Sequence, residues 1–217
     1  MGGKKSQALS DFQVERLVVG PLMTNCYILS SGGECLILDP GDDAARILQT
    51  VAGSHLKPRY VISTHGHFDH LLAAGNVSRE LGVPFCLHER DRDTLTEFWG
   101  LASRYGATGK PPVPDIYLKG DESWDIGGNR VYTIPTPGHT PGSISILAGS
   151  RLFTGDTLFN GSIGRTDIGG ENHEMVASLR KIMSLPEHTE IFPGHGEPTE
   201  IGRELDTMRY FIRLLGT

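Results

Sequence analysis

This chain of 217 residues has few cysteines, no long apolar run and no excess of positive charge. The cysteines are Cys26, Cys35 and Cys86, and because they are odd in number and lack C-x-x-C spacing they indicate neither a disulfide framework nor a thiolate zinc site. A reducing, cytoplasmic setting is therefore expected. The N-terminal lysines precede no apolar signal segment, and no run approaches the ~18 apolar residues that a membrane span needs.

The charge balance also narrows the class of partner. Twenty-six acidic and 20 basic residues give a net charge of −6, so the chain has no overall positive field to attract nucleic acid. We expect a small-molecule substrate, with neither nucleic acid nor a membrane as partner, and the oligomeric state is left open. The length fits a single domain over residues 11–217 after a frayed tail at residues 1–10.

The densest functional signal is the heptapeptide Thr-His-Gly-His-Phe-Asp-His at residues 64–70. Its four metal-binding side chains, His65, His67, Asp69 and His70, lie within six consecutive residues. Burying three imidazoles and a carboxylate together is costly unless a cation lies among them. A solvated polar loop is the alternative interpretation, and it is weakened by the further ligand-type residues that occur downstream.

The first half of the chain predicts strands followed by helices. Short β-rich segments at 14–19, 25–29 and 35–38 predict an antiparallel meander, after which Asp42 is expected to cap a helix over 44–51. The apolar run 60–63 predicts a buried strand that ends at the histidine motif. From Asp69 the pattern predicts a helix that runs to residue 81 and ends at Gly82. Another helix is expected from Glu89 to about residue 98.

The second half repeats this plan. Strands are expected at 131–134, 143–147 and 151–153, followed by a helix at 171–185, a strand at 191–192 and a last helix from about 199 to 215. The turns between them hold His139, Asp156 and His195. Strands followed by helices thus occur twice, which indicates two similar halves that face one another. Between the halves, the Gly/Pro-rich segment 100–114 is long enough to predict a lid or binding loop.

Four motifs in this order carry a family resemblance: Thr-His-Gly-His-Phe-Asp-His, Pro-Gly-His-Thr-Pro-Gly, Gly-Asp-Thr-Leu-Phe and Pro-Gly-His-Gly. Together they resemble the metallo-β-lactamase superfamily and, within it, the type II glyoxalase (hydroxyacylglutathione hydrolase) branch. The resemblance implies an α+β fold, a four-layer αββα sandwich of two mixed sheets with helices on the outer faces. It also implies two metal ions at one edge of the paired sheets.

The resemblance assigns seven ligands and, with them, an activity. One ion is held by His65, His67 and His139, the other by Asp69, His70 and His195, and Asp156 bridges the two. Asp69 and Asp156 are thereby the expected catalytic carboxylates. Nitrogen and oxygen ligands without a thiolate suit two divalent ions, with zinc expected and iron or manganese as alternatives. The implied reaction is hydrolysis of a thioester such as S-lactoylglutathione by a hydroxide that bridges the ions.

Further residues are assigned around these ligands. Asp39 matches the aspartate that holds a ligand imidazole in the correct tautomer, although a turn residue before Pro40 is an equal alternative. Arg165, in Gly-Arg-Thr-Asp at 164–167, either contacts a substrate carboxylate or pairs with Asp167. The other candidates for substrate binding are Arg104, Tyr105 and Lys110.

Departures from the family keep other reactions open. Full-length type II glyoxalases carry a C-terminal helical domain with cationic groups for glutathione, whereas this chain ends at Thr217 and resembles the short form. Persulfide dioxygenases resemble the same branch but use one iron held by two histidines and one aspartate. His195 in Pro-Gly-His-Gly favours the binuclear hydrolases. Lactone and phosphotriester hydrolysis also remain alternatives, while Asp156 stands where the commonest class B β-lactamases have a cysteine ligand.

Overall fold

The chain is described by a computed structural model that covers residues 12–105, 107 and 110–216. Six strands form the first sheet, with neighbours in chain order: Gln13–Val19 (β1), Thr24–Ser31 (β2), Glu34–Leu38 (β3), Lys57–Ile62 (β4), Phe85–His88 (β5) and Ile116–Leu118 (β6). The first three strands are antiparallel, as the meander prediction requires, and β3 to β6 are parallel. The tail predicted at residues 1–10 lies outside the described residues, and the single domain over 11–217 stays a prediction.

A second mixed sheet is built from the other half of the chain. Its strands are Ser123–Ile126 (β7), Asn129–Pro135 (β8), Ile144–Ala148 (β9) and Arg151–Gly155 (β10), and, after a small hairpin of Leu158–Phe159 (β11) and Ser162–Ile163 (β12), Glu190–Pro193 (β13) and Thr199–Glu200 (β14). The strand order is β14-β13-β10-β9-β8-β7, and only the β10–β13 pair is parallel.

Helices cover the outer face of each sheet. They are Ala44–Ser54 (α1), Ala74–Leu81 (α2), Arg92–Ala102 (α3), Asn172–Met183 (α4) and Ile201–Leu215 (α5). Strand β3 shows why the layers form, because its side chains alternate between two apolar cores. Cys35 and Ile37 pack towards α1 and α2, whereas Leu36 and Leu38 pack between the two sheets. A third core joins α4 and α5 to the second sheet, so the expected αββα order of layers is confirmed.

Several predicted helix starts are wrong. Asp42 does not cap α1: Asp43 occupies that position in the left-handed region, with φ 52°, and its carboxylate accepts from Gly20 N (3.2 Å). The helix expected from Asp69 is instead a 3₁₀ turn, Phe68–His70, and α2 begins only at Ala74. The helix expected from Glu89 likewise begins with a 3₁₀ turn, Glu89–Asp91, before α3.

The segment 100–114 is less of a loop than its composition predicts. Helix α3 continues to Ala102, and a 3₁₀ turn, Ser103–Tyr105, follows it. Residues 106, 108 and 109 lie outside the described part of the chain. Whether the segment acts as a lid stays a prediction. In the described ranges no helix has both the length and the apolar character needed to cross a membrane.

The fold brings the ligand motifs to one edge of the sandwich. The residues 64–70 follow β4, Asp156 follows β10 and His195 follows β13, all at carboxyl ends of strands, while His139 lies in the turn between β8 and β9. Parallel pairing of β10 with β13 sets Gly155 opposite Pro193, so the segments carrying Asp156 and His195 leave the sheet together. The backbone N–H of Ile144 donates to Thr64 O (2.9 Å), which joins the two sheets at this edge.

Candidate metal centre

Three histidines form the first cluster at this edge. His65, His67 and His139 are all buried, and their ligand atoms lie within 4.8 Å of one another. His67 Nδ1 is 2.9 Å from His139 Nε2. Two nitrogens at 2.0–2.1 Å from one tetrahedral ion would be about 3.3 Å apart, so the observed separation is close to that of shared coordination. The Phe98 ring packs edge-on against His67, with ring centroids 4.7 Å apart, and shields this cluster.

A second cluster lies beside the first, with Asp156 between them. His195 Nε2 is 3.2 Å from both Asp69 Oδ2 and His70 Nε2. Asp156 directs Oδ1 towards His70 Nε2 (3.3 Å) and Oδ2 towards His139 Nε2 (3.5 Å). One carboxylate therefore faces a member of each cluster, which is the arrangement a ligand shared by two ions needs. The structure brings all seven predicted ligands together; their assignment as ligands stays a prediction.

Neighbouring groups set the tautomers of these imidazoles. His139 Nδ1 is 2.7 Å from the carbonyl oxygen of Arg165, which can only accept, so Nδ1 carries the proton and Nε2 is free. The Thr64 hydroxyl donates to Asp39 (2.9 Å) and therefore accepts from His65 Nδ1 (3.2 Å), which leaves His65 Nε2 free. Such partners orient ligand histidines in metal sites.

Asp39 is the buried carboxylate beside His70. Its Oδ2 lies 3.1 Å from His70 Nδ1, an ion-pair distance, although the N–H direction misses the oxygen and no hydrogen bond forms. Its Oδ1 accepts from Thr64 N (2.7 Å). Asp39 also adopts φ 50°, a conformation that is uncommon outside glycine and persists where the surroundings hold it. The orienting role of Asp39 stays a prediction.

Unpartnered polar atoms test whether the cluster fits a metal. In the described ranges, the buried side-chain nitrogens and oxygens that lack a hydrogen-bond partner are His65 Nε2, His67 Nε2, His70 Nδ1 and Asp156 Oδ1. All four belong to the predicted ligand set. His65 Nε2 and Asp156 Oδ1 face the cluster, and because a buried polar atom without a partner costs about 1–3 kcal/mol, these two atoms fit a bound cation. His67 and His70 face the cluster through their other ring nitrogens. The donor set of imidazoles and carboxylates, without thiolate, fits divalent metal ions.

The pKa shifts of the histidines differ between the two clusters. Burial and the neighbouring histidines hold the pKa of His65 well below its usual value and lower the pKa of His67 to about 4, so both are neutral and able to bind metal. Burial opposes protonation of His70 as well, but Asp156, Asp39 and Asp69 outweigh it and raise its pKa well above normal. Burial would raise the pKa of Asp156, yet the facing histidines, His70 first, hold it well below its usual value.

Comparison with known proteins shows which family shares these motifs. The family model described as "Metallo-beta-lactamase superfamily" matches residues 19–195, most of the chain. The chain belongs to the metallo-beta-lactamase superfamily. Among its relatives, "Probable metallo-hydrolase YqgX" of Bacillus subtilis (strain 168) is 37% identical over 199 residues, 88% of this chain and 93% of the relative. "Hydroxyacylglutathione hydrolase GloC" of Haemophilus influenzae is 32% identical over 199 residues, 88% of this chain and 94% of the relative.

Solved structures of the superfamily show the same fold. "BLEG-1 B3 metallo-beta-lactamase" superposes with a TM-score of 0.82 at 36% identity, over 92% of this chain and 99% of that one. "TTHA1623 in a di-iron-bound form" also has a TM-score of 0.82, at 34% identity over 89% of this chain and 98% of that one. The αββα sandwich expected from the motifs is therefore the superfamily fold, and a binuclear centre has a precedent within it.

The structure says less about the candidate substrate-binding residues than about the candidate ligands. Arg165 pairs with Asp167 through two short contacts (2.8 and 2.7 Å), and both side chains are 68% exposed. The Tyr105 ring stacks on Phe68, with centroids 5.1 Å apart, and lines a narrow cleft with Asp69. The candidates Arg104 and Lys110 are exposed. The structure thus bears out the Arg165–Asp167 pair, and the substrate contacts stay predictions.

Two buried polar residues of the site were missed by the sequence analysis. Asp91 joins two ligand loops, and Asn25 binds a third by donating from Nδ2 to Pro193 O (2.9 Å) and Gly196 O (2.8 Å), on either side of His195. Asparagine is uncommon inside strands, so Asn25 offered a weak signal. Asp91 precedes a helix, where aspartate is ordinary, and offered none.

The three cysteines are packing residues. All are buried, and burial raises the pKa of Cys35 to about 11 and that of Cys86 to about 12. Burial raises the pKa of Cys26 as well, so none of the three supplies a thiolate ligand at neutral pH.

Proposed function

We propose that this protein is a binuclear metal-dependent hydrolase that cleaves a thioester such as S-lactoylglutathione. One observation carries the proposal: Asp156 lies between two clusters of ligand atoms, with one oxygen directed at His70 and the other at His139. We assign one ion to His65, His67 and His139 and the other to Asp69, His70 and His195, with Asp156 shared. Two divalent ions held in this way supply Lewis acidity and activate water at neutral pH.

The protein's own groups hold these ligands and limit the access of water. The Arg165 carbonyl, the Thr64 hydroxyl and the Asp39 carboxylate orient His139, His65 and His70 respectively. Phe98 covers one side of the histidine cluster. Because a thiolate leaves without being protonated by the protein, thioester cleavage needs no separate general acid. The carboxylates Asp69 and Asp156 act as catalytic ligands, and no other base is required.

The choice of thioester and of metal rests on likeness and on donor chemistry. The superfamily relative GloC is named as a hydroxyacylglutathione hydrolase, and this chain matches it over nearly its whole length. We propose that Arg104, Tyr105, Lys110 and Arg165 contact the substrate, since cationic groups at the rim can pair with the carboxylates of glutathione. We propose zinc as the metal; iron or manganese would suit the same ligands, and the TTHA1623 structure is described as di-iron-bound.

The test combines metal analysis with chelator-sensitive kinetics. The purified protein should hold close to two metal ions per chain, and it should hydrolyse S-lactoylglutathione in a reaction that a chelator stops and added metal restores. Asp156→Ala should lose nearly all of this activity. The matched control is His173→Ala, which removes a histidine that is 81% exposed and should leave metal content and turnover unchanged.

A panel of other substrates separates the alternatives. A persulfide, a lactone, a phosphotriester and a chromogenic cephalosporin should be assayed beside the thioester, the last because BLEG-1 is named a B3 metallo-beta-lactamase. One iron per chain with sulfur-oxygenating activity would replace the proposal by a mononuclear persulfide dioxygenase. Clear hydrolysis of another ester or lactam, with none of the thioester, would keep the metal centre and remove the glyoxalase assignment.

A further inference from the structure

Asp91 is a fully buried carboxylate whose two oxygens accept from two different ligand loops. Its Oδ2 accepts from Gly66 N (2.6 Å) and from the Thr140 hydroxyl (2.7 Å), and its Oδ1 accepts from Gly142 N (2.6 Å). Thr94 adds a longer contact to Oδ1 (3.4 Å). These partners come from three separate segments, so the carboxylate fastens the segment 64–70 to the turn between β8 and β9.

The two glycines make this close approach feasible. A Cβ at Gly142 would lie 2.6 Å from Asp91 Cγ, and a Cβ at Gly66 would lie 3.0 Å from Asp91 O and 3.1 Å from Asp91 Cβ. Real Cβ atoms essentially never approach within 3.0 Å, so Gly142 cannot carry a side chain without displacing Asp91. The glycine of Thr-Pro-Gly is therefore explained by the Asp91 carboxylate packed against it, while the glycine of His-Gly-His lies against the backbone and Cβ of Asp91.

The partners of Asp91 flank one set of ligands only. Gly66 separates His65 from His67, and Thr140 follows His139, so every ligand of the three-histidine cluster is next to a residue that Asp91 binds. The other set is held elsewhere. The segment carrying His195 is bound by Asn25 and by the Tyr27 hydroxyl, which donates to Pro193 O (2.6 Å). His70 faces Asp39, and Asp69 accepts from Thr24 (3.4 Å).

We propose that Asp91 is a positioning residue for one half of the centre: it sets the separation of the His65–His67 segment from His139, and thereby the affinity of the His65/His67/His139 site alone. The proposal rests on the proposed binuclear function. Asp91 touches neither substrate nor ion in this assignment and acts only through the loops that it joins. Partners that orient metal ligands are worth about 10- to 100-fold in affinity, which sets the expected effect.

Asp91→Asn is the informative substitution because it keeps the shape and loses one acceptor. Whichever way the new amide is oriented, its NH₂ faces a backbone N–H, that of Gly66 or that of Gly142, so one of these two backbone hydrogen bonds must be lost. The matched control is Glu204→Gln. Glu204 is also a buried carboxylate (3% exposed) that accepts from a backbone N–H, that of Gly161, and from a threonine hydroxyl, that of Thr199, outside the ligand loops.

The measurement is metal bound per chain at buffered concentrations of free zinc. Where the unaltered protein holds two ions, Asp91→Asn should hold one, and it should need about 10- to 100-fold more free zinc to take up the second. The site is identified by paired variants. Adding Asp91→Asn to His139→Ala should leave metal content unchanged, whereas adding it to His70→Ala should remove the ion that His70→Ala retains. Glu204→Gln should hold two ions at the same zinc concentrations as the unaltered protein.

The results separate this proposal from the proposed function. An unaltered protein that never holds two ions refutes the binuclear function itself. Two ions in the unaltered protein, with equal weakening of both in Asp91→Asn or with no weakening, overturn the positioning role. If Asp91→Asn does not fold, as judged by thermal unfolding of the metal-free protein, Thr140→Val removes one of the bonds and should weaken the same site in the same direction. An unchanged affinity in Thr140→Val, with both ions retained, also overturns it.

Discussion

Removing the metal ions should lower the thermal stability of the folded protein by a predictable amount. The metal-free centre contains four buried polar atoms without hydrogen-bond partners, three on histidines and one on Asp156. The unfolded chain hydrates all four. An ion that binds the folded state alone therefore stabilises that state by mass action, and the bound ions also remove part of this desolvation cost.

Two estimates give the size of the stabilisation by each bound ion. At a free-metal concentration of 1,000 times the dissociation constant, one ion contributes about 4 kcal/mol to the free energy of unfolding. Satisfying one of the unpartnered atoms at each ion is worth about 1–3 kcal/mol per ion, which is smaller but of the same order. For a chain of this length about 1 kcal/mol shifts the midpoint of unfolding by roughly 2–4 °C, so each ion should raise it by roughly 8–16 °C.

Calorimetry of chelator-stripped and metal-reloaded protein measures this shift directly. The His173→Ala variant should show the full shift, because its side chain lies on the surface outside the centre. Asp156→Asn should lose most of it, since one carboxylate oxygen is replaced by an amide that cannot bind a cation. A midpoint that does not move on reloading, or that moves equally in Asp156→Asn, would refute the assignment of these residues as ligands.

Three more predictions concern single residues of the centre. In metal-free protein the pKa of His67 is lowered to about 4, so on acidification the unfolded chain binds a proton near pH 6.5 that the folded chain does not. The stability is therefore present above pH 6.5 and is lost as the pH falls towards 4, by about 3 kcal/mol. Urea unfolding should show a shallower pH dependence in His67→Gln. Asp39→Asn should weaken metal binding about 10- to 100-fold at the site containing His70, which metal analysis of the kind described for Asp91 would detect. An unchanged affinity would reduce Asp39 to a turn residue. Arg165→Ala should raise KM for a substrate that carries a carboxylate without changing kcat. Asp167→Ala frees the guanidinium of Arg165 and should leave KM equal or lower. Equal increases in KM in both variants would mean that the ion pair only supports the loop.

Much of the candidate metal centre could be predicted from the sequence because its ligands lie in short motifs. Four of the seven lie in the segment 64–70, and the others follow Gly or Pro at the ends of predicted strands. The resemblance that these motifs carry implied that the ligands meet at one edge of the paired sheets.

What the sequence could not decide depends on contacts between distant segments. The helix expected from Asp69 gives way to a 3₁₀ turn, and Asp69 and His70 in that turn face the ligands instead of continuing a helix. Arg165 had two equal interpretations, and the structure shows its Nε and Nη2 donating to Asp167, while its contact with the substrate stays a prediction.

The sequence by itself determined the superfamily, because four short motifs carry the resemblance, and that resemblance implied the fold class and the seven candidate ligands. Only the tertiary structure decided what holds those ligands in place. Asp91 binds residues 25 and 51 positions away, and Asn25 binds a loop 168 positions away, so no local pattern marks either residue. An aspartate before a helix and an asparagine in a strand become orienting groups only when the folded chain surrounds them with donors, acceptors and low dielectric.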